Sequence, residues 1–188
     1  MADETPQDGA PDAREETHEP ELRYGVPVAS SHGQTVLHPT RDQLAKTIKD
    51  LHDDGYLMCV DVTAVDYLTF GRRTAAEGDI IATERRLPAA LAPERFEVVY
   101  NLLSHHDRSR VRLRVQVPED DPTVVSLFDL HPGTEAMERE VFDMFGISFS
   151  GHPDLTRILM PEDWIGHPLR KDYSSGRIPV QFKDAPSR

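Results

Sequence analysis

Three residues near the C-terminal end have types that could bind a metal ion. His152 and His167 each stand in a Gly-His-Pro turn, and Asp154 lies two residues beyond the first. Two imidazoles and a carboxylate would suit zinc or iron, and the chemistry would be metal-dependent hydrolysis. The spacing argues against it. No histidine has another at i+2 or i+4, so a hydrogen bond that caps each turn, or a contact with a partner, fits these residues better. His105 and His106 are adjacent, and neighbours on a strand point to opposite faces. Asp154, Glu162, Asp163 and Asp172 supply carboxylates, but no two are paired at a spacing that defines a hydrolytic site.

Other reactions lack their motifs as well. There is no Gly-x-Gly, hence neither a dinucleotide fingerprint nor a phosphate loop, and no Gly-x-Ser-x-Gly. The single cysteine, Cys59, cannot close an internal disulfide or hold an iron–sulfur cluster, and its apolar setting reads as packing. A net charge of −12 argues against nucleic acid. No apolar run is long enough to cross a bilayer, and the first residues lack the basic-then-apolar pattern of a signal peptide.

The chemistry that remains is recognition, and it is concentrated between Glu138 and Tyr173. A short amphipathic helix leads this stretch. Thr134 is the expected N-cap, and Glu135 suits the positive end of the helix dipole. Glu135–Arg139 and Arg139–Asp143 are spaced i,i+4, so acid and base should meet along one face. Met137, Val141, Met144 and Phe145 share the opposite face, and Gly146 is the stop. Glu140 falls at the edge of the apolar stripe. A carboxylate there is expected to find Arg157 or Arg170, because an unpaired buried charge is costly. Trp164, the sole tryptophan, suits either an interface anchor or the core.

The preceding chain must position this stretch. Residues 1–23 hold eight acids and two bases with few large apolar groups, so they read as a disordered acidic extension. Residues 24–150 read as the folded core and 151–188 as an extended, partner-binding arm. Within the core, an extended piece is expected near Thr35–Leu37. Thr40 opens a helix through Asp53, with Leu44, Ile48 and Leu51 on one face and Gly55 beyond its end. Leu57–Tyr67 reads as a mostly buried strand. Residues 71–93 read as loop.

The clearest strands follow. Phe96, Val98, Tyr100 and Leu102 share one face of the first. Val111, Leu113, Val115 and Val117 share one face of the second, with Arg110, Arg112, Arg114 and Gln116 opposite. The linker between them suits an antiparallel hairpin, and the arginine row is expected to form a solvated face. Val124–Leu130 should hold a short strand or a turn of helix. Ile147–Phe149, Arg157–Met160 and Ile178–Phe182 read as short extended pieces. The fold class is therefore α+β: a single two-layer domain with a mixed or antiparallel sheet, packed helices and an extended C-terminal arm.

These residues resemble a known family. Glu138-Arg139-Glu140, Asp143-Met144-Phe145-Gly146, Gly151-His152-Pro153-Asp154-Leu155, Arg157-Ile158-Leu159 and Gly166-His167-Pro168-Leu169-Arg170-Lys171-Asp172-Tyr173 are similar to the signature of the C subunit (thirty-kilodalton subunit family) of the proton-pumping NADH:quinone oxidoreductase, respiratory complex I. The similarity extends over residues 40–175. It departs from the pattern at Met137, where the family would place an aromatic residue.

The resemblance implies a peripheral-arm subunit on the cytoplasmic face of the cell membrane. It would carry no cofactor, with FMN, iron–sulfur clusters and quinone sites in partner subunits. The partners it implies are subunits D, B and I. The chain would dock on the first, which helps form the quinone site, and lie near the other two, which bear clusters. Glu138, Arg139, Glu140, Asp143, Arg157, Arg170 and Lys171 would supply ion pairs within the domain or across the interface. His152 and His167 would fix turns. Phe145, Gly146, Asp154, Asp172 and Tyr173 complete the implied docking signature. A homologous subunit of a membrane-bound hydrogenase complex is the alternative. Purified alone, the chain is expected to be colourless, without flavin or iron and without NADH oxidation. Stoichiometric zinc or iron, measured by metal analysis, would instead favour a hydrolase.

Overall fold

The computed structural model describes residues 21–70, 87–88 and 91–174. Residues 1–20 of the expected 1–23 extension, most of the 71–93 loop and the strand-like 178–182 lie outside the described residues, whereas Leu22 and Arg23 at the end of that extension are not disordered but pair with Pro27 and Val26. The elements in order are β1 (Leu22–Arg23), β2 (Val26–Ser31), β3 (Gln34–Leu37), α1 (Arg41–Asp53), β4 (Met58–Asp66), β5 (Phe96–Ser104), β6 (Ser109–Val117), β7 (Thr123–Val125), a 3-10 turn (Pro132–Thr134), α2 (Glu135–Phe145) and β8 (Ser148–Ser150).

Six strands form one sheet in the order β1-β2-β3-β6-β5-β4. All neighbours are antiparallel except β3 and β6, so the sheet is mixed. α1 follows β3, and the parallel β6 is reached only later in the chain, since a parallel pair cannot be joined by a tight turn. The hairpin β5–β6 pairs Phe96 with Val117 and Tyr100 with Leu113, which puts the two apolar rows on one face. That face meets Leu44, Ile48 and Leu51 of α1 and Val141, Met144 and Phe145 of α2 in one core. The α+β class read from the sequence is the observed one.

α1 starts as its residues dictate. Thr40 Oγ1 accepts from the Gln43 N–H (3.3 Å), and Gln43 Oε1 accepts from the Thr40 N–H (3.0 Å). This reciprocal capping box satisfies two amides that the helix itself cannot.

Three expectations need correction. Residues 26–37 form a full hairpin rather than one extended piece. His32 (φ 52°) and Gly33 (φ 74°) make its two-residue turn, with positive φ at both positions as a tight hairpin of this type requires. β4 is a strand, but its first half is not buried. It lies at the sheet edge, the register slips between Cys59 and Asp61, and Met58 and Val60 are exposed.

The arginine face of β6 is not simply solvated either. Arg112 donates to Asn101 Oδ1 (3.1 Å) and Gln34 Oε1 (3.2 Å). Arg114 donates through Nε and Nη2 to the two oxygens of Glu97 (2.7 and 3.0 Å). Cross-strand polar pairs thus join β3, β5 and β6, and Glu97 is 1% exposed. On the other side of the core, β7 pairs with β8 in parallel, which brings the chain after α2 back beside residues 123–125.

Candidate functional site

The signature segment is built around α2. Its start differs from expectation: the 3-10 turn runs directly into the helix, so Thr134 is already helical (φ −80°, ψ −10°) and does not cap. Its hydroxyl instead donates to Glu138 Oε1 (3.0 Å). Arg139 Nη1 lies 3.8 Å from Glu135, the expected i,i+4 pair. The expected Arg139–Asp143 pair does not form. Arg139 reaches forward to Thr156 O (3.1 Å), Thr156 Oγ1 (2.8 Å) and Arg157 O (3.2 Å). The helix ends at Gly146 (φ 71°). A β-carbon there would sit 2.5 Å from His167 Nε2, so glycine is required both for the turn and for the approach of the arm.

Asp143 is fully buried and gathers the arm. Arg157 Nη1 donates to Asp143 Oδ1 (2.5 Å). The backbone N–H groups of Ile158, Leu159 and Met160 all donate to Oδ2, at 3.1, 2.8 and 2.8 Å. Residues 157–160 form no strand, contrary to expectation, because they curl around this oxygen. Burial works to raise the Asp143 pKa. The three amides and the Arg157 guanidinium outweigh it and hold the group below its ordinary value.

Glu138 is equally buried but differently served. Its partners are Ser126 Oγ (2.6 Å), the Leu127 N–H (2.8 Å) and Thr134 Oγ1 (3.0 Å), all of them neutral. Burial pushes its pKa up. The expectation that Glu138 supplies an ion pair is therefore corrected: it is a hydrogen-bond acceptor that ties α2 to the 126–127 turn. Glu140 is also corrected. It is exposed and forms no ion pair among the described residues, and its expected partners are committed elsewhere. Arg157 goes to Asp143. Arg170 donates to Phe145 O (2.5 Å) and Gly146 O (3.4 Å), with its guanidinium over the Phe96 ring.

The two histidines each hold a backbone carbonyl. His152 Nε2 lies 3.0 Å from Glu135 O, while its Nδ1 accepts from the Asp154 N–H (3.1 Å). His167 Nδ1 lies 3.0 Å from Asp143 O. A carbonyl can only accept, so these ring nitrogens carry the proton. Among the described residues, no group of three or more His, Cys, Asp or Glu could hold a metal ion. Asp154 is exposed, and Phe145 packs in the core. Trp164 is half-buried, and its indole N–H is enclosed without a partner among the described residues.

A second clasp holds the end of the arm, and joins the signature residues Lys171 and Asp172 to Asp66 and Arg95, which the sequence did not single out. Arg95 donates through Nε and Nη2 to the two oxygens of buried Asp66 (3.2 and 2.9 Å), pairs with Asp172 (2.9 Å) and also meets Glu119. Lys171 contributes its backbone N–H to Asp66 (2.9 Å), while its side chain is exposed and forms no ion pair among the described residues, which corrects the expectation of one within the domain. The Tyr173 ring lies against Gly166, where a β-carbon would be 2.9 Å from Cε2. No local spacing announces the Asp66–Arg95 pair. Glu138 has a visible signal, since it falls on one helix face with Val141 and Phe145.

Two outcomes are expected. Asp143→Ala strands the Arg157 cation and three amides, and should lower stability by roughly 3–5 kcal/mol in urea denaturation. In the wild type, a depressed native pKa means that the Asp143 contribution is present above the unfolded value of about 3.9 and is lost as pH falls through the native one. Glu138 has the opposite sign. Its raised native pKa favours folding below the unfolded value of about 4.3, and that advantage fades as pH rises through the native value. Glu138→Gln should therefore flatten this part of the stability–pH curve, checked by denaturation from about pH 4 to pH 7.

Comparison with known proteins agrees with this geometry. Residues 37–178 match the family described as respiratory-chain NADH dehydrogenase, 30 Kd subunit. A protein of Saccharopolyspora erythraea, named as the C subunit of NADH-quinone oxidoreductase, is 41% identical over 170 residues, which covers 86% of this chain and 60% of that one. Its namesake in Mycolicibacterium paratuberculosis is 43% identical over 155 residues, 81% of this chain and 57% of the relative. The chain thus spans about 60% of the length of the curated relatives it matches.

Among solved structures, the trypsin-resistant fragment (1-134) of Nqo5 superposes with a TM-score of 0.56 at 33% identity, over 70% of this chain and 91% of the fragment. A chain of an archaeal respiratory membrane complex, the membrane-bound sulfane sulfur reductase, has a TM-score of 0.56 at 18% identity over 87% of this chain and 89% of its own, which shows a shared fold. With the signature folded as one interlocked unit around α2 and the family match running through it, the chain belongs to the 30 kDa subunit family of the respiratory-chain NADH dehydrogenase.

Proposed function

We propose that the chain is a non-catalytic, structural subunit of the peripheral arm of a proton-pumping NADH:quinone oxidoreductase. Its partners are subunits D, B and I of that complex. It docks on the first, near the quinone site, and lies close to the other two, which bear clusters. Electrons pass through FMN, iron–sulfur clusters and quinone held by partner chains. The observation that carries this reading is the match over residues 37–178, which includes the whole described part of the arm. Two features of the molecule support it. The polar signature residues Arg139, Asp143, His152, Arg157 and His167 are spent on backbone groups and on one another, which is the use expected of a scaffold. In addition, no described helix is long and apolar enough to cross a membrane; attachment through partners, on the cytoplasmic side, is part of the proposal.

The test is recovery of partners. An affinity-tagged chain, pulled from detergent-solubilised membranes of its own host, should bring NADH-oxidising activity and the flavin- and cluster-bearing subunits with it. Recovery of nickel-containing partners would replace this reading with a membrane-bound hydrogenase. A chain recovered alone, as a monomer, would refute both.

A further inference from the structure

The described arm is fastened by backbone groups and by Arg157 and Arg170, which are turned inward. Ile158, Leu159 and Met160 give their N–H groups to Asp143, and the Leu169 N–H donates to Met144 O (3.0 Å). Arg157 Nη2 reaches Gly166 O (3.1 Å), and Arg170 caps Phe145 O. Four aliphatic side chains are left outside, among exposed acids and Lys171. Ile158 is 41% exposed, Leu159 60%, Ile165 90% and Leu169 48%. A segment lying on a domain ordinarily does the reverse, burying such side chains and leaving its peptide groups to water. Here the segments carrying all four converge on the last turn of α2, at Asp143 and Met144.

We propose that Ile158, Leu159, Ile165 and Leu169 form the face through which the chain binds a partner protein, and that the charged signature residues hold this face in shape rather than make the contact. The partner surface is apolar and edged with lysine or arginine. The second property follows from charge. Asp154, Glu162 and Asp163 flank the aliphatic positions, are exposed, and enter no ion pair among the described residues. A second copy of a chain with net charge −12 would bring the same acids to the contact, and an anionic lipid surface would repel them. The proposal rests on the assembly reading above. Of the two places expected for Arg170, within the domain or across the interface, it assigns the first.

The experiment uses the full chain. Ile165→Ser combined with Leu169→Ser is compared with the wild type and with Arg170→Ala. The double variant should melt with the wild type, while recovery of NADH-oxidising activity on the tagged chain falls roughly tenfold or more, as expected for losing two buried aliphatic contacts. Arg170→Ala should show the opposite order, with a lowered melting temperature first. Undiminished recovery by the double variant would overturn the proposal.

A melting temperature lowered by the double substitution in the isolated chain would also overturn it, because the face would then be covered by the chain itself. So would wild-type binding to vesicles of phosphatidylcholine and phosphatidylglycerol that the variant loses, which would make the face lipid-binding. A wild-type dimer that the variant lacks, seen by light scattering, would overturn it too and assign the face to a second copy. If the wild type itself recovers no NADH-oxidising complex, it is the assembly reading that falls, and the face with it.

Discussion

A single carboxylate organises the C-terminal part of this molecule. Asp143 is fully buried near the end of α2, and one of its oxygens takes three consecutive backbone amides while the other takes a guanidinium. Removing a charge from water is costly unless every lone pair is met. The arm therefore has little freedom around it. Residues 158–160 must curl for their amides to face one point, Arg157 must lie beside them, and Gly146 must be glycine because His167 crosses close above it. The sheet, the helices and β7–β8 hold α2 in the register that makes this possible.

The two buried acids of α2 illustrate how environment decides what a carboxylate does. Glu138 and Asp143 are both excluded from solvent on the same short helix. Glu138 meets only neutral donors and is pushed toward its protonated form. Asp143 meets a cation and an amide nest and is pushed toward its charged form. One joins the helix to the turn before it, the other to the segment after it. Between them they tie α2 to the chain on both sides.

What can be read from residues alone is local. The Thr40–Gln43 box and the Leu44, Ile48, Leu51 spacing define α1. The alternation from Phe96 to Leu102 and from Val111 to Val117 defines the central hairpin. Gly146 marks a helix end. The misreadings share a physical cause. Arg139 and Asp143 are well spaced to pair with each other, yet each finds a stronger set of partners 14 to 18 residues onward. Glu140 reads as half-buried on a helical wheel drawn in isolation, whereas the sheet takes the face of Val141 and leaves Glu140 in water. The 26–37 hairpin is hard to see because its turn is His-Gly rather than the commoner Asn-Gly, and its strands alternate weakly. The signature pattern locates the interlocked segment, but its charges serve the interior more than the pattern suggests.

The bond from the Lys171 N–H to Asp66 joins positions 105 residues apart. Closing so long a loop costs chain entropy, and the strands that carry Asp66 and lead out of Arg95 offset it by pairing with each other. On a ribosome, Asp66 and Arg95 are made well before Asp172 leaves the exit tunnel. For that interval the Arg95 guanidinium has only Asp66 and Glu119 to answer it, and the arm is still loose. The clasp can therefore close only on a sheet that has already brought Asp66 and Arg95 together.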